Sequence, residues 1–259
     1  MGRMSKTEEK VEEKTPKKKP FLYRVIFKLV VLFYRKYTYV GLENLPKEPS
    51  LVIINHAQIH APLSVELYFP TKKSMWCIGQ MMNVKEIPAY AYQDFWSLKP
   101  KCVKWFYKLL SYAMAPLASF VLSNADTMPV YKDARILTTF RKTLEHLNAG
   151  DHVVLCPEKA DAFNEIVNEF QDKFVDVARL YYSRYKREIA FVPTYCAPAL
   201  KTVVFGKPIY YDPSLSMDEQ RKKVCDYLKA EITALAKELP RHKVVPYLNI
   251  SKKKYPYSK

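Results

Sequence analysis

Three pairs of adjacent polar residues stand where chemistry could be done: Asn55-His56, Lys132-Asp133 and Glu158-Lys159. Each closes a short apolar or β-branched run that reads as a strand: Leu51-Val-Ile-Ile54, Thr127 to Tyr131, and Val153-Val-Leu-Cys156. In open α/β sheets, ligand sites gather at the carboxyl ends of the strands. If the three ends converge, they assemble an imidazole, a carboxylate and ammonium groups. Such a set suits a base that takes the proton of a hydroxyl beside a phosphate held by lysines. Each residue also has a plainer reading. His56 can be a cap or a satisfied polar residue, Glu158 a carboxylate at a helix N-terminus, and Lys132 a solvated loop residue.

Other chemistries fit less well. His56 and His60 lie four apart, as metal ligands on a helix do, but Ala57-Gln58-Ile59 separates them with no Glu in the zincin position, and Pro62 disrupts a helix. There is no G-x-S-x-G element for a serine hydrolase. Cys156 ends its strand with nothing near it in sequence to lower its pKa. The chain has only five glycines against eighteen prolines, and it lacks both G-x-G-x-x-G and a Walker sequence, which argues against a Gly-rich nucleotide loop.

Strands alternating with helices must position these residues. Beyond the three runs above, Phe191 to Tyr195 and Val203-Val-Phe205 read as strands. A helix carries Ile136, Phe140, Leu144 and Leu147 on one face and stops at Gly150. A long last helix starts at Ser216, where Glu219 completes a capping box, and runs through Val224, Leu228, Ile232 and Leu235. The alternation predicts a single α/β domain with a mostly parallel or mixed sheet flanked by helices, over residues 39–250.

Ahead of it, 1–19 reads as a disordered charged tail. Residues 20–38 read as an amphipathic helix with Arg24, Lys28, Arg35 and Lys36 among apolar residues. Membrane-surface placement and docking on the protein's own core remain even alternatives for it. Residues 251–259 form a basic C-terminal tail. Residues 109–125 carry no charge, and Pro116 interrupts them; burial as a helix pair is expected there, with a membrane-dipping surface as the alternative.

The net charge of +16 favours acidic partners: nucleic acid, anionic lipid or an acidic carrier protein. Nucleic acid has only the charge to support it, since no recognition motif is present. The aromatics read mainly as core. Five cysteines without C-x-x-C, and a polar first stretch with no signal peptide, point to a reducing cytoplasm. Lys6 occupies the place where a myristoylation signal needs Ser or Thr.

In this order and spacing, the elements resemble the lysophospholipid acyltransferase family, which includes 1-acylglycerol-3-phosphate acyltransferases. The resemblance runs from about Tyr39 to Ile209. It opens with Val40-Gly41-Leu42-Glu43-Asn44-Leu45-Pro46 and Leu51 to His56. The family's first motif is Asn-His, four residues, then Asp; Asn55 and His56 are present, but Ala61 takes the Asp position. Met128-Pro-Val-Tyr-Lys132 resembles the second motif, with Lys132 for the usual phosphate-binding Arg. Cys156-Pro157-Glu158-Lys159 stands for Phe-Pro-Glu-Gly, and Phe191-Val-Pro-Thr194 for the fourth motif. Phe205-Gly206-Lys207-Pro208-Ile209 matches the late strand and turn.

The resemblance implies a fatty acyl transfer from acyl-CoA or acyl carrier protein to a lysophospholipid hydroxyl, with no metal or redox cofactor. His56 would be the base beside Asn55, with Glu158, Lys132 and Lys159 binding the acceptor. In the family, the missing Asp orients the His. His60, Glu66 and Asp94 are the candidates to replace it. The setting implied is the inner face of a membrane with an anionic surface. A catalytically inactive lipid-binding or membrane-scaffold relative on the same fold is the alternative, because Ala61 and Lys159 depart from the pattern.

Overall fold

The structure, a computed structural model, describes residues 19–96, 100–131 and 133–259; the tail expected over 1–18, and Lys132, lie outside the described residues. The chain runs through α1 (Phe21–Phe33), β1 (Thr38–Val40), β2 (Ser50–Ile54), α2 (His60–Tyr68), β3 (Lys73–Ile78), α3 (Ile87–Ala91) and α4 (Lys104–Asn124). It continues through β4 (Thr127–Val130), α5 (Ile136–Asn148), β5 (His152–Leu155), β6 (Glu158–Phe163), β7 (Asn168–Phe170) and α6 (Asp176–Tyr185). The last elements are β8 (Ala190–Ala197), β9 (Thr202–Phe205), β10 (Ile209–Tyr210) and α7 (Met217–Glu238).

The main sheet has the order β1-β9-β8-β2-β5-β3-β4, with β10 paired to β8. From β8 to β4 all neighbours are parallel, while β9 and β10 run antiparallel to β8. The expected mixed, mostly parallel α/β sheet is what forms. Its central strand, β2, is buried at every residue, as an unbroken apolar run requires when helices cover both faces.

Alternate residues of β2 feed two cores. Leu51 and Ile53 pack with α5, α6 and α7 through Leu147, Val177 and Leu228. Val52 and Ile54 pack on the other face with Ala61 and Val65 of α2 and with Tyr37. The predicted capping box of α7 is present, with Glu219 N–H donating to Ser216 Oγ and Ser216 N–H to Glu219. The helix predicted to stop at Gly150 ends at Asn148, and Gly150 adopts φ +91°.

The expected burial of 109–125 needs correction. These residues belong to one helix, α4, with Pro116 inside it, and only Ser111, Ala115 and Ser119 of the whole helix are buried. The reason lies in what α4 packs against. Its main partner α3 is five residues long and meets a narrow stripe of small side chains, so most of the apolar surface of α4 is left uncovered by the described residues. In α1, expected over 20–38, Tyr23 is buried and Val25, Ile26, Phe27 and Val30 are half-buried, while Phe21, Leu22, Leu32 and Phe33 are exposed.

Gly41 marks the turn that brings β1 to the late strands. It adopts φ +74°, and a Cβ there would fall 2.4 Å from the Phe205 carbonyl oxygen. Gly150 has a similar conformation but open space around it. Gly41→Ala should therefore cost more than Gly150→Ala, about 2–3 against about 1 kcal/mol. Urea denaturation midpoints of the two variants, measured side by side, check the order.

Candidate functional site

Strands β2 and β5 are parallel neighbours, so their carboxyl ends bring Asn55-His56 next to Pro157-Glu158. Asn55 is buried and grips the Cys196 backbone in β8: its Oδ1 accepts the Cys196 N–H at 2.7 Å, and its Nδ2 donates to the Cys196 carbonyl at 3.1 Å. This bidentate clasp fixes where β2 ends. Ala57 and Gln58 then take left-handed conformations at φ 44° and 56°. For residues with a Cβ that costs on the order of 1 kcal/mol each. The turn holds His56 at the carboxyl end of the central strand before α2 begins.

Glu158 is buried and bridges two segments. One oxygen accepts the His56 backbone N–H at 2.5 Å, and the other accepts the Asn168 N–H at 2.9 Å. The carboxylate thus ties the end of β2 to the β6–β7 hairpin. Burial raises its pKa from an ordinary 4.5 to about 7, against the opposing pull of the two N–H donors. The His56 imidazole shifts the other way. Burial lowers it from 6.5 to about 4, with the Gln58 backbone opposing. His56 Nδ1 has no hydrogen-bond partner among the described residues.

The other sequence candidates are not brought to this centre. The side chain of His60 turns to Tyr34, with Nδ1 3.1 Å from the hydroxyl oxygen. Glu66 accepts the Tyr23 hydroxyl at 2.7 Å and pairs with Lys73, which anchors α1 and leaves it uncommitted to His56. The side chain of Asp94 lies outside the described residues, as does Lys132. Lys159 follows Glu158 on a strand, and successive side chains there point to opposite faces. It pairs with Asp161 at 3.0 Å and lines a groove with Asp172, Asp218 and Arg221. Its expected convergence with His56 therefore gives way to strand alternation.

Asp133 pairs with Arg135 at 2.7 Å. The end of β4 stands three strands from β2, about 14 Å at ordinary strand spacing. Burial and the nearby Glu158 push the Cys156 thiol pKa well up, which disfavours the nucleophilic thiolate. The Asp position of the first motif is sealed. Ala61 is fully buried among Val52, Ile54 and Val65, and its carbonyl accepts the Ser64 hydroxyl at 2.9 Å.

One part of the site had no signal in the sequence. The chain after α7 folds back over His56. Tyr247 stands edge-on to the His56 ring with centroids 5.4 Å apart. The Gln58 amide donates to the Tyr255 hydroxyl at 2.9 Å and toward the Leu248 carbonyl at 3.4 Å. His242 and Tyr195 pin the base of this strap through a buried 2.9 Å contact. The segment expected as a plain basic tail at 251–259 returns along it, with Val244 N–H bonded to the Pro256 carbonyl and Ser258 N–H to that of His242.

Glu158 and His56 give stability opposite pH dependences. Glu158 holds its proton more tightly folded than unfolded, so its contribution is full below about pH 4.5 and is lost as pH rises to about 7. His56 resists protonation when folded, so its contribution is full above pH 6.5 and is lost as pH falls to about 4. Between 4.5 and 6.5 the two slopes oppose. Glu158→Gln should remove the first and leave stability rising with pH by on the order of 3 kcal/mol across that window. Denaturation free energies at several pH values read this directly. Tyr247→Ala should speed carbethoxylation of His56 severalfold, measured by peptide mass spectrometry, if the ring is what shields it.

No protein-family model matches the chain, and no curated protein matches it. Among solved structures, the chain is similar to the crystal structure of the 1-acyl-sn-glycerophosphate (LPA) acyltransferase PlsC from Thermotoga maritima. The TM-score is 0.47 and the sequence identity 16%, over 82% of this chain and 76% of that one.

Proposed function

We propose that the protein transfers a fatty acyl group from an acyl thioester to the hydroxyl of a lysophospholipid or related glycerol phosphate, with His56 as base. One observation carries this reading: the Glu158 carboxylate accepts the His56 backbone N–H and so joins the Asn-His and Pro-Glu motifs at adjacent parallel strand ends. The order of motifs from Val40 to Ile209 supports it further.

In the step, neutral His56 accepts the acceptor's hydroxyl proton as the oxygen attacks the thioester carbonyl. The ester C–O bond forms, the C–S bond breaks, and the proton passes from the imidazolium to the leaving thiolate. Acyl-CoA or acyl carrier protein supplies the thioester. No metal or redox cofactor enters the balance. The low pKa of His56 keeps the imidazole unprotonated at neutral pH. The same burial makes the imidazolium costly, and no carboxylate sits at 61 to offset that cost. In a serine-protease triad the loss of such a carboxylate costs about 10⁴-fold, so slow turnover is expected. The setting proposed is the cytoplasmic face of a membrane. Glu158 acts in this scheme chiefly by holding the His56 backbone, since both its oxygens are engaged.

A second reading has its own support. Ala61 sealed in the core, an Nδ1 of His56 with no hydrogen-bond partner among the described residues and the ring of Tyr247 over His56 also suit a lipid-binding relative without turnover.

Thiol release from an acyl-CoA donor, with and without lysophosphatidic acid, separates the two. The enzyme reading expects release that needs the acceptor and falls at least 100-fold in His56→Ala. Ala61→Asp should raise the His56 pKa, followed by NMR, and raise turnover with it, at a stability cost of about 1–3 kcal/mol for the buried carboxyl. Lipid binding without release across several donors and acceptors would establish the second reading.

A further inference from the structure

We propose that α4, with α1 beside it, seats the protein on an anionic lipid surface, and that α4 lies in the plane of the interface without crossing the bilayer. The inference goes beyond acyl transfer and holds whether or not His56 turns over.

The apolar face of α4 is long and one-sided. Trp105, Leu109 and Tyr112 are 60–69% exposed and recur at helical spacing along it, with Leu117 52% exposed toward its end. Phe106 and Met114 flank the stripe at 49% and 47%. Helix α1 packs against α4 and adds Phe21, Leu22, Leu32 and Phe33 at 56–82% exposure. Two neighbouring helices that both turn large apolar side chains outward mark an interaction surface, not a chance scatter.

Charge selects the occupant. Neither helix contains Asp or Glu; Arg24, Lys28, Lys104 and Lys108 are their ionisable groups of fixed charge, all positive. Apolar side chains on helices whose own fixed charges are all positive complement an acyl layer beneath anionic headgroups. Trp105 and Tyr112 suit that boundary, where one end of the ring is wet.

Geometry selects in-plane seating. At 21 residues α4 is about 31 Å long, enough to cross a hydrocarbon core by length alone. Its opposite face, however, is committed to protein. Ser111, Ala115 and Ser119 form a buried stripe at four-residue spacing, and Ser119 Oγ donates to the Met82 carbonyl at 2.8 Å. A helix held along one side by its own domain can offer only the other side to lipid.

Flotation of the full chain with phosphatidylcholine vesicles, with and without phosphatidylglycerol, tests the proposal. Binding is expected only with the anionic lipid and should weaken as salt rises. Leu109→Lys with Leu117→Lys should lower the bound fraction at least tenfold, and so should Lys28→Glu with Lys108→Glu. Leu137→Lys, on the exposed side of α5, should float like wild type, and thermal melts confirm that each variant is folded. On sealed vesicles, an impermeant thiol reagent should reach both Cys102 and, in a Cys102→Ser background, Ser123→Cys. Protection of one end would mean that α4 crosses, and would overturn the in-plane assignment. Binding of both double variants at wild-type level would overturn the surface itself. So would a lipid-free wild-type dimer that Leu109→Lys with Leu117→Lys dissociates, by giving the face to a second copy.

Discussion

The buried Glu158 carboxylate joins two pieces of chain by accepting backbone N–H groups from both, His56 on one side and Asn168 on the other. A carboxylate taken out of water is costly unless its oxygens are satisfied. Here the satisfaction comes from main-chain donors, whose positions are set by strands. Each motif is therefore held by the other: β2 can end at His56 because β5 delivers Glu158, and Glu158 can be buried because β2 and the β6–β7 hairpin supply its donors. Asn55 adds the third strand, since its amide spans the Cys196 N–H and carbonyl in β8. Three strands of the sheet are thus locked together at the point where the imidazole stands.

The same burial that makes this arrangement rigid sets its electrostatics. Low polarity pushes Glu158 toward its neutral form and His56 toward its own. A neutral imidazole is the state a general base must start from. The state it must reach is less well served, because Ala61 is closed into an apolar cluster and Glu66 is spent on Lys73 and Tyr23. The edge of Tyr247 and the strap that carries it complete the surroundings. The centre is well positioned and poorly supported in charge, which is why slow chemistry and binding without chemistry share so many of its features.

The helices divide according to what they can cover. Helices α5, α6 and α7 have broad apolar faces and close one side of the sheet. Helix α2 closes part of the other side with Ala61 and Val65. Helices α1 and α4 instead touch the domain through narrow contacts, Tyr23 with Glu66 in one case and a stripe of small residues in the other. Their remaining surface is large and apolar, the fixed charges within the two helices are all positive, and no other described residues cover it.

Local pattern alone determined much of the scaffold. The run Leu51 to Ile54, the 3.6-residue period of Ile136 to Leu147 and the Ser216–Glu219 capping box are short-range signals, and each element appears where its signal lies. The strand ends at Asn55-His56 and Pro157-Glu158 were legible for the same reason. Short or irregular strands such as β1, β3 and β7 were not, because three to six residues without clean alternation resemble loop until neighbours pair with them. Which polar groups meet was settled only in three dimensions. Glu158 turned inward and Lys159 outward by strand alternation once the register of β6 was fixed. His60 and Glu66 went to partners on and next to α1. Tyr247, 191 positions after His56 in the sequence, reached its ring because α7 ends beside the sheet. Whether an uncharged stretch is core or surface was likewise beyond composition: α4 is exposed because short elements meet it along one narrow stripe, with only Ser111, Ala115 and Ser119 buried.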